Sequence, residues 1–430
     1  MGATAATGRP FSLYLHIPFC QKKCPYCDFN TYAGLEALHE DTVDALCAEM
    51  ERWAPAVRDR PVSTIFMGGG TPTVLPAPAL RRLFATLRRC FTLEAGCEIT
   101  SEANPGTVDR DKFAVLREVG VNRLSLGVQS FQPHELEFLG RIHDVDDVHR
   151  AVESARATGF DNLNLDFIFG LPGQRIAEWE ATIAEALALR PEHLSLYSLI
   201  VEENTPLFAW VESGRVQPPD EDMAADLYEI ALARLADAGF AQYEVSNWAR
   251  ALPGDQTAIL PQRASRHNLV YWQNGEYLGI GPGAHSHLRS EGTSRRWGNR
   301  KPVAGYVNRI RRGDTVEDFH ETPEPHTAMG ETMMLGLRLV RHGVPFAHFA
   351  QLHGADLRTV YAPVIAELLE QGLVELDTQR IRLSERGLLL GNQVFARFLP
   401  DDEPGHRAAP AIAPGAIAQD STAAPAARPL

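Results

Sequence analysis

Six short runs, Leu13–Ile17, Val62–Met67, Glu98–Glu102, Asn122–Val128, Asn162–Phe169 and His193–Leu199, read as strands in the first half of the chain. They alternate with helical patterns over about Glu36–Trp53, Ala77–Cys90, Asp109–Glu118, Val145–Ala157 and Glu178–Leu189. Strands alternating with helices of this length form parallel βαβ units. Six such units, without a clear further pair, predict an α/β fold built as an open, partial (β/α)6 barrel. A barrel of this kind carries its chemistry on the loops that follow the strands. Three of the runs end suitably: one leads into cysteines, one into Gly68-Gly69-Gly70, and one ends at Glu102.

After about residue 200 the rhythm changes. Asp220–Ala238 reads as a helix and Tyr243–Asn247 as one more strand, so the barrel is expected to span residues 11–250. Residues 1–10 and 251–265 read as flexible, and 266–319 as an extension associated with the barrel. Residues 320–400 are expected to form a smaller C-terminal α+β domain. Its helix at Val360–Gln371, Gly372 and a hairpin of Leu373–Leu376 with Arg380–Leu383 follow a winged-helix-like order. The Ala- and Pro-rich tail, 401–430, reads as disordered.

Composition narrows the classes of function. With 44% hydrophobic and 22% charged residues, the 430-residue chain is ordinary for a soluble globular protein. A net charge of −14 argues against a nucleic-acid partner, because phosphates demand clustered Lys and Arg. No apolar run approaches the ~20 residues needed to span a bilayer. Met1–Pro10 lacks the apolar core of a secretion signal, so a cytoplasmic location is expected. Of six cysteines, Cys20, Cys24 and Cys27 lie close together, which in a reducing compartment points to metal rather than disulfides. Cys47, Cys90 and Cys97 are expected to be small buried apolar side chains.

Cys20-Gln-Lys-Lys-Cys24-Pro-Tyr-Cys27 is a C-x3-C-x2-C run. A [4Fe–4S] cubane takes four ligands, so three cysteines leave one iron open to chelation by an amino acid's amino and carboxylate groups. The alternative is zinc, which wants a fourth Cys or His at matching spacing. His16 and His39 are near, but neither completes such a pattern.

With Tyr26 before its last cysteine, this run resembles the signature of the radical SAM superfamily. The resemblance implies a [4Fe–4S] cluster that binds and cleaves S-adenosylmethionine. Gly68-Gly69-Gly70-Thr71-Pro72 resembles the superfamily's glycine-rich motif, which contacts the cofactor's amino group through backbone. Tyr14–Cys20, Gly70–Thr73, Glu102–Pro105, Leu124–Phe131, Asp166–Pro172 and Leu278–Gly281 are similar to oxygen-independent coproporphyrinogen III dehydrogenase (oxidase). Carried over residue by residue, the resemblance makes Tyr14, Tyr26, Gly69, Gly70, Thr71, Glu102, Gln129, Arg141 and Asp166 candidate S-adenosylmethionine contacts. No residue is assigned a catalytic role.

Two departures point elsewhere within the family. The dehydrogenase carries a further cysteine two residues after the third, where this chain has Phe29. Arg266-His267-Asn268-Leu-Val-Tyr271-Trp272 and Tyr243-Glu-Val-Ser-Asn-Trp248 resemble segments of the radical SAM heme chaperones. That resemblance implies heme as a further ligand, with His267 as a candidate axial ligand flanked by Tyr271 and Trp272, and with His285 and His287 as second candidates. Two functions compete. The first is a chaperone, monomeric or dimeric, that delivers heme to apo-hemoproteins such as membrane-associated respiratory enzymes. The second is an enzyme that oxidatively decarboxylates coproporphyrinogen III. A methyltransferase would need an extra cysteine or a corrinoid module, and neither is seen.

Overall fold

The six expected runs form six parallel strands: β1 (Phe11–Ile17), β2 (Val62–Gly69), β3 (Leu93–Ala103), β4 (Arg123–Gln129), β5 (Leu163–Phe169) and β6 (His193–Ser198). This computed structural model describes residues 8–255, 258–290 and 293–400. Residues 1–7 of the expected flexible N-terminus, 256–257 of the expected loop and the whole expected tail, 401–430, lie outside the described residues. Helices follow the strands and cover one face. The helix Ala77–Cys90 shows why: Leu80, Leu83, Phe84 and Leu87 recur at helical spacing and are all buried. The helix Val145–Ala157 starts at a capping box, in which Asp144 and Asp147 each accept the other's backbone N–H.

The sheet does not close into a barrel. Beyond β6 it ends in an antiparallel hairpin, β7 (Phe240–Glu244) and β8 (Asn247–Arg250). Beyond β1 it continues through β9 (Tyr277–Ile280), parallel to β1, and then antiparallel β10 (His285–Ser290), β11 (Thr293–Asn299) and β12 (Glu317–Glu321). The 12 strands run in the order β12, β11, β10, β9, β1, β2, β3, β4, β5, β6, β8, β7. The open, partial barrel expected from the sequence is therefore extended at both edges.

Four expectations need correction. Tyr243–Asn247 is not one strand but contains a turn, because the Glu244 carboxylate accepts the Ser246 N–H and the Asn247 amide at 2.9 and 2.6 Å. Val360–Gln371 is two helices, Leu357–Val360 and Ala362–Glu370, with Pro363 in the first turn of the second. His320 does not begin the C-terminal domain; it lies within β12. Cys97 is buried, but Cys47 and Cys90 are partly exposed, since they sit on helix flanks rather than on the inward stripe.

The chain divides into two compact units, residues 1–270 with 275–322, and residues 271–274 with 323–430. The second contains the helix Pro325–Leu337, β13 (Val344–Pro345), helices Phe346–His353, Leu357–Val360 and Ala362–Glu370, and the hairpin of β14 (Val374–Leu376) and β15 (Arg380–Leu383). Its three strands pair in the order β13, β15, β14, a winged-helix arrangement, over a core that includes Met333, Leu337, Phe349, Leu357, Ile381 and Val394. Among the described residues, no helix is long and apolar enough to cross a membrane.

One buried carboxylate joins the first helix of the barrel to the extension. Glu49, on the helix His39–Trp53, accepts the Gly281 N–H at 2.8 Å, the Asn299 amide at 2.7 Å and the Tyr306 hydroxyl at 2.6 Å. Burial outweighs these bonds and pushes its pKa from 4.5 up to about 7. Between those two values the unfolded chain releases a proton that the folded chain keeps, so the contribution of Glu49 to stability falls as pH rises. Glu49→Gln should remove this part of the pH dependence. Denaturation of both proteins from pH 4.5 to 8 should show their stabilities converging by up to about 3 kcal/mol as pH rises; parallel curves would refute the assignment.

Candidate cluster and cofactor site

Each of the six parallel strands has one inward residue that is partly exposed among largely buried neighbours: Tyr14, Phe66, Glu102, Gly127, Asp166 and Tyr197. Together they line a concave cup near the carboxyl ends of the strands, where barrel chemistry is placed. Two residues earlier on each strand stands a buried polar group: Ser12, Thr64, Thr100, Ser125, Asn164 and Ser195. These form a floor. Ser12 bonds Thr64 at 2.7 Å, and Asn164 donates to Ser125 at 2.7 Å.

The cysteine loop follows β1 and is held at its base by backbone. Cys20 N–H donates to Tyr32 O at 2.9 Å, and Tyr32 N–H to Pro18 O at 2.7 Å. The glycine-rich segment after β2 is bonded to the same base, Gly70 N–H to Ile17 O at 2.8 Å and Thr71 N–H to Phe19 O at 2.7 Å. A Cβ on Gly70 would lie 2.5 Å from Phe19 O, so only glycine permits this approach. At Gly69, φ is +104° and a Cβ would fall 2.4 Å from the His16 ring.

Two donors reach the sulfurs. Thr71 Oγ1 donates to Cys20 Sγ at 3.5 Å, and Arg141 Nη1 to Cys24 Sγ at 3.4 Å. Arg141 Nη2 is anchored on Gly127 O at 2.8 Å, while its buried Nε has no hydrogen-bond partner among the described residues. Burial pushes the Cys27 thiol up to about 12 and also raises Cys20. Beside a bound metal charge such thiols ionise and release protons.

The carboxylates of the cup share one environment. Glu102 Oε2 accepts the Gly69 N–H at 3.1 Å, and burial followed by the nearby Asp166 lifts its pKa to about 8. Burial also raises Asp166, against hydrogen bonds from Ser125 and Asn164, both 2.8 Å. Such groups suit the hydroxyls and ammonium of a polar ligand, which would restore their ionised form. Burial likewise raises the Tyr14 phenol, whose oxygen lies 3.0 Å from His16 Nδ1. His16 Nε2 is 3.0 Å from Asn30 O, and burial lowers its pKa to about 4. Gln129 adopts φ 72°, and its amide lies near Gly127. Tyr26 packs against a cluster that includes Leu139 and Leu207.

Tyr14, Tyr26, Gly69, Gly70, Thr71, Glu102, Gln129 and Asp166 thus lie on β1 to β5 or on the loops that follow them, with the three cysteines, and Arg141 lies between the helices Pro133–Phe138 and Val145–Ala157 that follow β4. Reading motifs missed His16, Asn30, Asn164 and Tyr197. For Asn164 the signal was its place two residues before Asp166, in the row of polar residues that precede the cup positions; the other three carry no such signal.

The heme candidates lie apart. His267 is fully buried, with Nδ1 2.8 Å from Thr64 Oγ1, its ring against Phe66 at 5.3 Å and its backbone N–H on Glu98 at 3.0 Å. Burial lowers its pKa to about 3. Tyr271 and Trp272 belong to the second compact unit, where Arg338 lies 4.4 Å over the Trp272 ring. His287 is buried and bonded to Ser294 at 2.5 Å. His285 is partly exposed, and burial, then Lys301, lowers its pKa to about 3.

Residues 14–186 match the Radical SAM superfamily, and residues 324–390 match the HemN C-terminal domain. The chain is 38% identical to heme chaperone HemW of Bacillus subtilis over 390 residues, covering 90% of this chain and 99% of the relative. It is 37% identical to heme chaperone HemW of Escherichia coli over 396 residues, covering 91% and 99%. Among solved structures it is similar to coproporphyrinogen III oxidase (HemN) from Escherichia coli, a radical SAM enzyme, with a TM-score of 0.78 and 26% identity. That likeness covers 91% of this chain and 90% of the other.

Anaerobic reconstitution should load about four irons per chain, as one cubane requires. Alanine at Cys20, Cys24 or Cys27 should abolish loading, and alanine at Cys47, Cys90 or Cys97 should not. Normal iron and sulfide in the triple variant of the motif would sink the assignment. In the loaded protein, S-adenosylmethionine should perturb the cluster's EPR spectrum, and Glu102→Ala should weaken the response by removing an enclosed acceptor. An unchanged spectrum at saturating cofactor would exclude an open iron.

Proposed function

The chain belongs to the HemW family within the radical SAM superfamily, and we propose from that premise that it is a heme chaperone, binding heme as cargo and delivering it to apo-hemoproteins. One observation carries this reading. Identity to the chaperones is 37–38% over nearly their whole length, against 26% to the coproporphyrinogen oxidase of similar fold. Phe29 supports it, since the dehydrogenase-like pattern has a cysteine at that place.

In this reading Cys20, Cys24 and Cys27 hold the [4Fe–4S] cluster, and the cup takes S-adenosylmethionine. The unpartnered Nε of Arg141 and the two neighbouring buried carboxyls of Glu102 and Asp166 fit a polar, charged occupant. Held by these three cysteines and reduced, a [4Fe–4S] cluster would supply one-electron chemistry to S-adenosylmethionine. Arg141 and Thr71 donate hydrogen bonds to its sulfur ligands, which stabilises the thiolates. Glu102 and Asp166 accept from the cofactor's polar groups, and backbone at Gly69 and Gly70 lets it approach closely. Three closely spaced, unlinked cysteines suit the reducing cytoplasm. Acceptors in this reading include membrane-associated respiratory hemoproteins met from the cytoplasmic side.

Incubation with coproporphyrinogen III, S-adenosylmethionine and a reductant should yield no protoporphyrinogen. The same preparation should bind hemin stoichiometrically with a Soret band, and pass it to an apo-cytochrome. Robust decarboxylation without hemin binding would overturn the chaperone and restore the enzyme.

A further inference from the structure

The extension strands continue the inward face of the barrel past β1. Tyr14 pairs with Gly279 of β9, and Tyr277 of β9 with His287 of β10, so one face runs from the cup onto the extension. In register across that face stand His285 of β10, Gly298 of β11 and Phe319 of β12. The His285 and Phe319 rings meet over the glycine, with centroids 5.2 Å apart. A Cβ on Gly298 would lie 2.4 Å from the Phe319 ring and 3.1 Å from the His285 ring, so the bare backbone is what lets them meet.

Two features make this shelf unusual. Phe319 is 37% exposed, on a face that adjoins the cup. His285 has no hydrogen bond to either ring nitrogen among the described residues. The other enclosed imidazoles of this unit are engaged: His16 with Tyr14 and Asn30, His143 with Asn104 and Val128, His193 with Asn164 and Tyr243, His267 with Thr64, and His287 with Ser294. Lys301 and Arg296 lie close enough to act electrostatically on the His285 ring, and Arg296 also pairs with Glu321 at 3.1 Å. A nitrogen lone pair, an open aromatic face and two nearby cations match a planar metallated macrocycle with carboxylate arms.

We propose that His285 supplies the axial nitrogen to the iron of the heme cargo, with Phe319 against the porphyrin and Lys301 and Arg296 as the cations for its propionates. The proposal rests on the heme chaperone reading and moves the ligand from His267, whose ring is enclosed and bonded to Thr64, to a face that continues from the cofactor cup.

The test is hemin titration of the full-length, cluster-loaded protein, followed by absorption and ferric EPR. If the wild type takes up no hemin, the chaperone reading itself fails, before any variant is compared. Given binding, His285→Ala should weaken it about tenfold or more and remove the histidine-ligated spectrum. Added imidazole should restore that spectrum. Phe319→Ala should lower affinity while the ligation spectrum stays, and His267→Ala should keep both wherever the cluster still loads. A normal S-adenosylmethionine response of the cluster in His285→Ala certifies its fold; should that variant fail to load, His285→Gln is read in its place. Wild-type affinity and spectrum in the His285 variant, or a loss that imidazole does not restore, overturns the proposal.

Discussion

Asn164 is the group on which the cup depends. Six parallel strands turn a ring of polar side chains inward, and buried polar groups are tolerated only when they are paired. Asn164 does the most pairing. Its amide donates to Ser125 and Asp166, while its carbonyl oxygen meets His193 at 2.6 Å and the Ser195 hydroxyl at 3.1 Å. Losing it would strand several partners, each at about 1–3 kcal/mol. The chain of bonds continues from His193 to the Tyr243 hydroxyl at 2.8 Å, and from there to the Ser265 N–H at 3.1 Å. The floor therefore fixes Asp166 in the cup above and the start of the helix Arg266–Trp272 below.

That connection gives the chaperone-like segments a structural meaning. Tyr243 and Asn247 sit on the β7–β8 hairpin and bond inward to His193 and Ser195. His267 closes the same end of the barrel through Thr64, with Glu98 receiving its backbone N–H. Two separate stretches thus seal one polar interior near the amino ends of the strands. Their joint occurrence follows from that shared floor as directly as from any ligand.

Most of the barrel was legible because its signal is local. Alternating strand and helix patterns placed β1 to β6, and the helices Ala77–Cys90 and Val145–Ala157 fall where their patterns begin and end. The failures were equally physical. A side chain, Glu244, closes a turn inside what reads as a continuous strand, and β9 brings the extension into the sheet by pairing with β1, a partner remote in sequence. The cysteines and glycines announced themselves by spacing. Tyr14, Glu102 and Asp166 were reached through their motifs, but Phe66, Gly127 and Tyr197 were not, because exposure is a property of six strands seen together. Nor could spacing separate five engaged imidazoles from the one at His285, since the hydrogen bonds that distinguish them cross the fold.

An incompletely closed sheet has an edge, and the chemistry of that edge has its own consequence. On its outer side β12 has no neighbour in the sheet among the described residues, and its sequence is Glu317-Asp318-Phe319-His320-Glu321. Three of five side chains are acidic. A second copy attempting to add a strand there would meet three carboxylates already held by Arg295, Arg300 and Arg296, and would have to desolvate those charged pairs. The extension can thus leave backbone groups open to water without inviting end-to-end polymerisation. Among these five guarded positions, Phe319 alone offers a surface to which something flat and apolar could adhere.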